Sequence, residues 1–124
     1  MALTVLVVDD EADFLATYDR LLRRQGYRTV TTSSRQSALL ALEADPFALI
    51  IADMRLPDGD GLDIVRAARA RPQPARVIVV TGFASAQSRR DALAAGATAY
   101  LAKPFSTAAL TSLIQETLSE QAPP

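Results

Sequence analysis

The sequence predicts an α/β domain built on a parallel five-stranded sheet, doubly wound with helices on both faces. Three observations predict it. Short β-branched runs alternate with stretches of helical periodicity along the chain, the pattern of successive βαβ units. Three of the five runs are continuously apolar, as befits central parallel strands buried on both faces, while the second and fifth carry polar residues and belong at the edges. Length agrees, because 124 residues with 49% apolar and 22% charged content make one domain with one real core.

The elements follow in order. Strand one is expected over residues 3–8 and runs into Asp9 and Asp10. Phe14, Leu15, Tyr18, Leu21 and Leu22 then repeat at helical spacing, and Gly26 sits where a left-handed residue would stop that helix. Strand two spans 28–32. Ser33 with Gln36 forms a capping-box signature before Leu39, Leu40 and Leu42. Strand three, 48–52, leads into Asp53, and Leu62, Val65, Ala68 and Arg69 mark a third helix closed by Pro72. Strand four is 76–81. The fourth helix, near 86–95, has Leu93 as its only large apolar residue and should pack weakly. Strand five, 98–102, ends at Lys103, and a fifth helix carries Leu110, Leu113, Ile114 and Leu118 on one stripe. Residues 1–118 read as the domain. Residues 119–124, ending in Pro123 and Pro124, read as a flexible tail or the start of a linker.

Composition narrows the chemistry. A formal net charge of -1, with arginines interleaved among acids, argues against direct nucleic-acid binding. Cys 0 removes disulfides, thiolate nucleophiles and cysteine-based zinc sites, and His 0 removes imidazole bases, Ser-His triads and histidine-ligated metals. What remains is carboxylates, hydroxyls and oxygen-ligated cations, among which magnesium is favoured. No apolar run approaches the roughly 20 residues that span a bilayer, and no basic leader precedes the first strand, so a cytoplasmic location is expected.

Lys103 is the only lysine beside twelve arginines. An ammonium is a compact point charge, and a site closing on one small anion can require it where a guanidinium fork would not fit. In open α/β sheets ligands bind beyond the carboxyl ends of the strands. Asp9 and Asp10, Asp53, Thr81 and Lys103 end four different strands there, and if strand one lies between strands two and three they converge on one shallow pocket. Crowded carboxylates need a cation to relieve their repulsion. With Lys103 as a second positive charge and Thr81 as a hydroxyl donor, the set suits a phosphoryl group in transfer. A carboxylate must then be the nucleophile, and Asp53, alone at its strand end, is the best candidate.

These residues resemble a response-regulator receiver domain of two-component signal transduction, from about Leu3 to Leu118. The resemblance rests on Val8-Asp9-Asp10-Glu11, the Asp53-Met54-Arg55-Leu56-Pro57-Asp58-Gly59 stretch with Gly61, the Thr81-Gly82 step and Lys103-Pro104-Phe105, in that order. It implies a flavodoxin-like (βα)5 fold with strand order 2-1-3-4-5. Asp53 would be the phosphoacceptor, with Lys103 and Thr81 assisting catalysis. Mg2+ would be held directly by Asp10, Asp53 and the backbone carbonyl of Arg55, and by Asp9 through water. A cis Lys103-Pro104 bond is implied too. Thr81 and Tyr100 would form the switch acting on the surface of the fourth helix, fifth strand and fifth helix, and Arg55 and Phe83 would tune phosphoryl lifetime. The small Gly82 would leave the pocket open to a donor. The partners implied are a sensor histidine kinase or a histidine phosphotransfer protein, with a phosphorylation-dependent homodimer compatible and membrane contact not. Such a chain is a switch that catalyses its own aspartyl phosphorylation and dephosphorylation, not an enzyme acting on a separate substrate. Two other readings are weaker. A phosphorylation-independent binding module should show degenerate acids or a missing lysine, and a small flavodoxin-like enzyme should show a substrate motif.

Overall fold

The computed structural model describes residues 3–119. Ten principal elements alternate in order: β1 (Thr4–Val8), α1 (Ala12–Arg24), β2 (Arg28–Thr32), α2 (Arg35–Ala44), β3 (Leu49–Asp53), α3 (Leu62–Arg69), β4 (Arg76–Thr81), α4 (Ala86–Ala95), β5 (Ala99–Ala102) and α5 (Thr107–Ser119). The five strands form one parallel sheet in the order β2-β1-β3-β4-β5, the expected 2-1-3-4-5. A separate hairpin of two-residue strands, Arg55–Leu56 and Gly59–Asp60, follows β3 and was not anticipated.

Each central strand feeds two cores, because successive side chains leave opposite faces. Val5 and Val7 of β1, Leu49 and Ile51 of β3 and Ile78 and Val80 of β4 pack with Tyr18 and Leu22 of α1 and Leu110 and Ile114 of α5. Leu6, Val8, Ile50, Ala52, Val77 and Val79 point the other way, onto α2, α3 and α4. All of these strand residues are at most 1% exposed. At about 25 cal/mol per Å² of apolar area removed from water, this double layer is the dominant source of stability. The polar edges are real: β2 has no fully buried residue and neither has β5.

The helix ends refine the sequence reading. Gly26 adopts φ +88 just beyond α1, and Tyr27 N–H closes on Leu22 O at 3.1 Å, so the left-handed stop is as expected. The capping box before α2 is Ser34 with Ser37, one residue later than Ser33 with Gln36. Helix α3 ends at Arg69, ahead of Pro72. On α4 the buried residue is Ala92, while Leu93 is 41% exposed, so this helix is attached even more lightly than its sequence suggests. On α5 Leu110, Ile114 and Thr117 are buried, Leu113 and Leu118 pack half-buried against the same core, and Ser119 belongs to the helix. The remainder of the expected tail, residues 120–124, lies outside the described residues. No helix among the described residues is long and apolar enough to cross a membrane.

Candidate functional site

Sheet register places the polar strand ends side by side. Val8 pairs with Ala52, so Asp9 stands level with Asp53. Asp53 pairs with Val80, and Thr81 with Ala102, so each strand end toward β5 is stepped by one residue, to Thr81 and then Lys103. The Lys103-Pro104 peptide is cis. From there the Lys103 ammonium reaches back across the sheet edge and donates to Asp9 Oδ2 at 2.8 Å, Asp53 Oδ2 at 3.0 Å and Glu11 Oε1 at 3.3 Å. Its other flank rests on the Phe14 ring, 4.0 Å from the centroid. Phe14, Tyr18 and Phe105 pack ring to ring beneath it, with centroids 5.9 to 6.3 Å apart.

The lysine side chain is 7% exposed and Asp9 is fully buried, so these charges meet with little water between them. Burial is the largest influence on Asp9 and pushes its carboxyl above the usual 3.8; the Lys103 hydrogen bond and the Glu11 N–H draw it back only in part. For Lys103 burial pulls downward, yet the hydrogen bonds and charges of Asp9 and Asp53 outweigh it and hold the ammonium above its usual 10.5. The two shifts differ in origin: desolvation lifts the Asp9 carboxyl, whereas the paired carboxylates hold the Lys103 proton. A single ammonium among several carboxylates leaves the cluster negative, and every added positive charge is favoured there.

Asp9, Asp10, Glu11 and Asp53 can bring one oxygen each within 4.8 Å of one another. Asp9 and Asp53 are buried, Asp10 and Glu11 exposed. Hard oxygen donors in an electronegative cluster, open to solvent on one side, fit a cation of the magnesium class. The cavity above them, about 240 Å³, is lined by Asp10, Glu11, Asp53, Arg55, Gly82, Phe83 and Lys103. Arg55 and Phe83 form its rim as a pair, the guanidinium lying 4.0 Å over the aromatic ring. Gly82 is not required by packing, since a Cβ there would meet nothing within 4 Å.

Thr81 ends β4 beside the cluster. It is 1% exposed, but its hydroxyl accepts the Phe83 N–H at 3.0 Å and it lines a neighbouring groove of about 570 Å³ with Ser85, Ser88, Met54 and Asp60. Tyr100 is half-buried, its hydroxyl bonded to Ser88 Oγ and accepting the Ser85 N–H at 3.3 Å at the start of α4. Sequence reasoning missed Glu11 as a member of the cluster, although it follows Asp10 directly, and missed Ser85 and Ser88 as partners of Tyr100.

The segment after Asp53 is held tightly. Arg55 N–H donates to Asp53 Oδ1 at 3.1 Å, fixing that carboxylate from the side opposite Lys103. Met54 N–H reaches Val80 O at 2.9 Å and Gly61 N–H reaches Met54 O at 2.8 Å. Gly61 approaches so closely that a Cβ would stand 1.9 Å from the Asp53 carbonyl oxygen. Gly61 is therefore a contact residue beneath Asp53, whereas Gly59, at φ +154, serves the turn.

Fold and site together define a class: a parallel α/β domain carrying a carboxylate cluster, one lysine and an adjacent hydroxyl at the carboxyl edge of its sheet. The sequence matches the response regulator receiver domain over residues 5–115, and the chain belongs to that family. Among curated relatives it is 38% identical over 103 residues to the photosynthetic apparatus regulatory protein RegA of Rhodobacter capsulatus, covering 82% of this chain and 55% of that protein. It is 37% identical over 102 residues to the alginate biosynthesis transcriptional regulatory protein AlgB of Pseudomonas aeruginosa, covering 82% of this chain and 23% of AlgB. The chain thus spans between about a quarter and just over half the length of these relatives. Among solved structures, a CheY-like response regulator receiver domain from Methanospirillum hungatei superposes with a TM-score of 0.91 at 33% identity, covering 98% of this chain and 97% of that one. The receiver domain of a sensor histidine kinase from Pseudomonas aeruginosa, with magnesium coordinated in its active site cleft, superposes at 0.85 and 30% identity, covering 96% and 99%.

Proposed function

We propose that this chain is a phosphoacceptor switch in which Asp53 takes a phosphoryl group from a phosphohistidine carried by a sensor histidine kinase or a histidine phosphotransfer protein. The observation that carries the reading is the Lys103 ammonium shared between Asp9, Glu11 and Asp53, with Asp53 held on its other oxygen by Arg55 N–H. An oriented carboxylate beside a buried cation is what an in-line attack on phosphorus requires. One Asp53 oxygen forms the new bond to phosphorus as the bond from phosphorus to the donor imidazole nitrogen breaks, and the imidazole leaves with that electron pair. Lys103, already on the carboxylate, follows the negative charge onto the phosphoryl oxygens.

Asp10, Asp53 and the Arg55 carbonyl would hold Mg2+, with Asp9 acting through water. When bound, Mg2+ supplies charge neutralisation of the phosphoryl oxygens. The magnesium-bearing receiver of the Pseudomonas aeruginosa kinase supports that assignment by likeness. Water later cleaves the acyl phosphate, and the Arg55–Phe83 rim stands over the cavity through which it must come.

The switch reading uses two hydroxyls. Thr81 would leave the Phe83 N–H and donate to a phosphoryl oxygen. Tyr100 would then exchange its bonds to Ser85 and Ser88 for the space vacated, altering the face formed by α4, β5 and α5, where Leu93 and Leu113 border a shallow groove of about 290 Å³. A phosphorylation-dependent homodimer or an effector would read that face.

Intact mass after incubation with acetyl phosphate tests the proposal. One added phosphoryl mass is expected with Mg2+ on the wild type, and none on Asp53→Asn or after the metal is chelated. An adduct on Asp53→Asn would move the acceptor elsewhere.

A further inference from the structure

The hairpin that follows Asp53 ends in an exposed turn, Pro57-Asp58-Gly59, whose tip is tied to α2 through one carboxylate. Asp58 Oδ1 accepts the Arg35 N–H at 2.7 Å and Oδ2 accepts the Gln36 N–H at 2.9 Å. These are the first two amides of α2; the third, Ser37 N–H, is taken by the Ser34 hydroxyl at 3.1 Å. A carboxylate there also meets the positive end of the helix dipole. The Arg35 side chain completes the clamp, crossing close over Gly59 to donate to Asp63 Oδ2 of α3 at 2.8 Å. The turn is thereby fastened between two helices that lie on the same face of the sheet.

Asp58 is exposed, so the core does not depend on its side chain. Its leverage is on Arg55, which is paired across the hairpin with Asp60 while Leu56 is paired with Gly59. The same Arg55 peptide orients Asp53 through its N–H and, in the reading above, turns its carbonyl to the metal.

Resting on that reading, we infer that Asp58 is a positioning residue for phosphoryl transfer: by binding the start of α2 it holds the hairpin so that the Arg55 peptide stands ready for both Asp53 and the cation. Groups that only orient metal ligands commonly change metal affinity by about 10-fold or more when removed.

Calorimetric Mg2+ titration of the full chain, alongside acetyl phosphate kinetics, tests this on wild type, Asp58→Ala, Asp58→Asn and Ser34→Ala. Asp58→Ala is expected to weaken Mg2+ binding about 10-fold and to slow phosphorylation at subsaturating Mg2+ accordingly, with Asp58→Asn, which keeps one acceptor oxygen, in between. Ser34→Ala removes the other cap of α2 without touching the hairpin, so it should lower the melting temperature and leave Mg2+ affinity alone. Unchanged affinity in Asp58→Ala, or an equal loss in Ser34→Ala, overturns the inference while leaving Asp53 as acceptor. A wild type that neither binds Mg2+ nor takes up phosphoryl overturns the reading of the site, and the inference with it.

Discussion

The Arg55 guanidinium covers a Phe83 ring that is 64% exposed, so this pair contributes little to the core and much to the approach to Asp53. If it screens the acyl phosphate from water, Phe83→Ala should lose its phosphoryl group severalfold faster than wild type while melting at nearly the same temperature. Decay of the phosphorylated mass after donor removal measures it, and an unchanged or slower decay counts against the screening role. Asp58 makes a second prediction at this scale. The backbone N–H groups of Gln36 and Arg35 hold its carboxyl below the usual 3.8. The charge acting on it is Arg35 on α2, itself paired with Asp63 on α3. A depressed carboxyl stabilises the fold fully above pH 3.8 and loses that contribution as pH falls through its folded value. The melting-temperature gap between wild type and Asp58→Asn should therefore persist at neutral pH and close below that point. A gap that stays constant into acid would mean the charge is not what holds α2.

Elements were legible in proportion to how locally they are determined. Runs such as Val5-Leu6-Val7-Val8 and Leu49-Ile50-Ile51-Ala52 have no alternative to a buried central strand, and the structure places them there. The box before α2 was misread because Ser33, Ser34, Gln36 and Ser37 offer two overlapping versions, and what selects Ser34 includes the Asp58 carboxylate arriving from 23 residues away. Thr81 and Tyr100 were legible as residues but not as contacts, since their partners lie in the loop and helix that follow β4. Helix α4 shows how little its sequence offers for packing: Leu93 is its only large apolar residue, and the structure buries Ala92 and leaves Leu93 41% exposed. A helix so lightly held should open first. Hydrogen exchange is expected to be faster across α4 than across α5, which buries Leu110 and Ile114; equal protection of the two would remove α4 as the mobile part of the switch. Gly61 gives the opposite case, an element boundary with no slack. Gly61→Ala must push the chain away from the Asp53 carbonyl, at a cost of about 1–3 kcal/mol, and thermal melts together with Mg2+ titration should show both stability and affinity reduced.

For the whole molecule, the charge cluster ties stability to function. The fold brings the carboxyl ends of β1, β3 and β5 around a site that is short of positive charge, and Lys103 is the only cation among the described residues that reaches it by hydrogen bond. Removing one partner of a buried ion pair typically costs about 3–5 kcal/mol, because the other charge is left without compensation. Asp9 is fully buried and Asp53 nearly so, hence Lys103→Ala should melt well below wild type in the absence of metal. Lost packing of a side chain only 7% exposed adds to that cost, but the electrostatic share is set by charge alone. It follows that a different cation should repair it. Ligand at about 100 times its dissociation constant adds about 2.7 kcal/mol to any fold that binds it, so Mg2+ should raise the melting temperature of wild type, and raise that of Lys103→Ala by more, because the variant has more uncompensated charge to neutralise. Adding Asp9→Asn to Lys103→Ala should recover stability without metal and shrink the Mg2+ increment. If Lys103→Ala instead melts like wild type with or without Mg2+, the lysine would be a bystander to the balance of charge, and its place at the centre of the site would need another explanation than electrostatics.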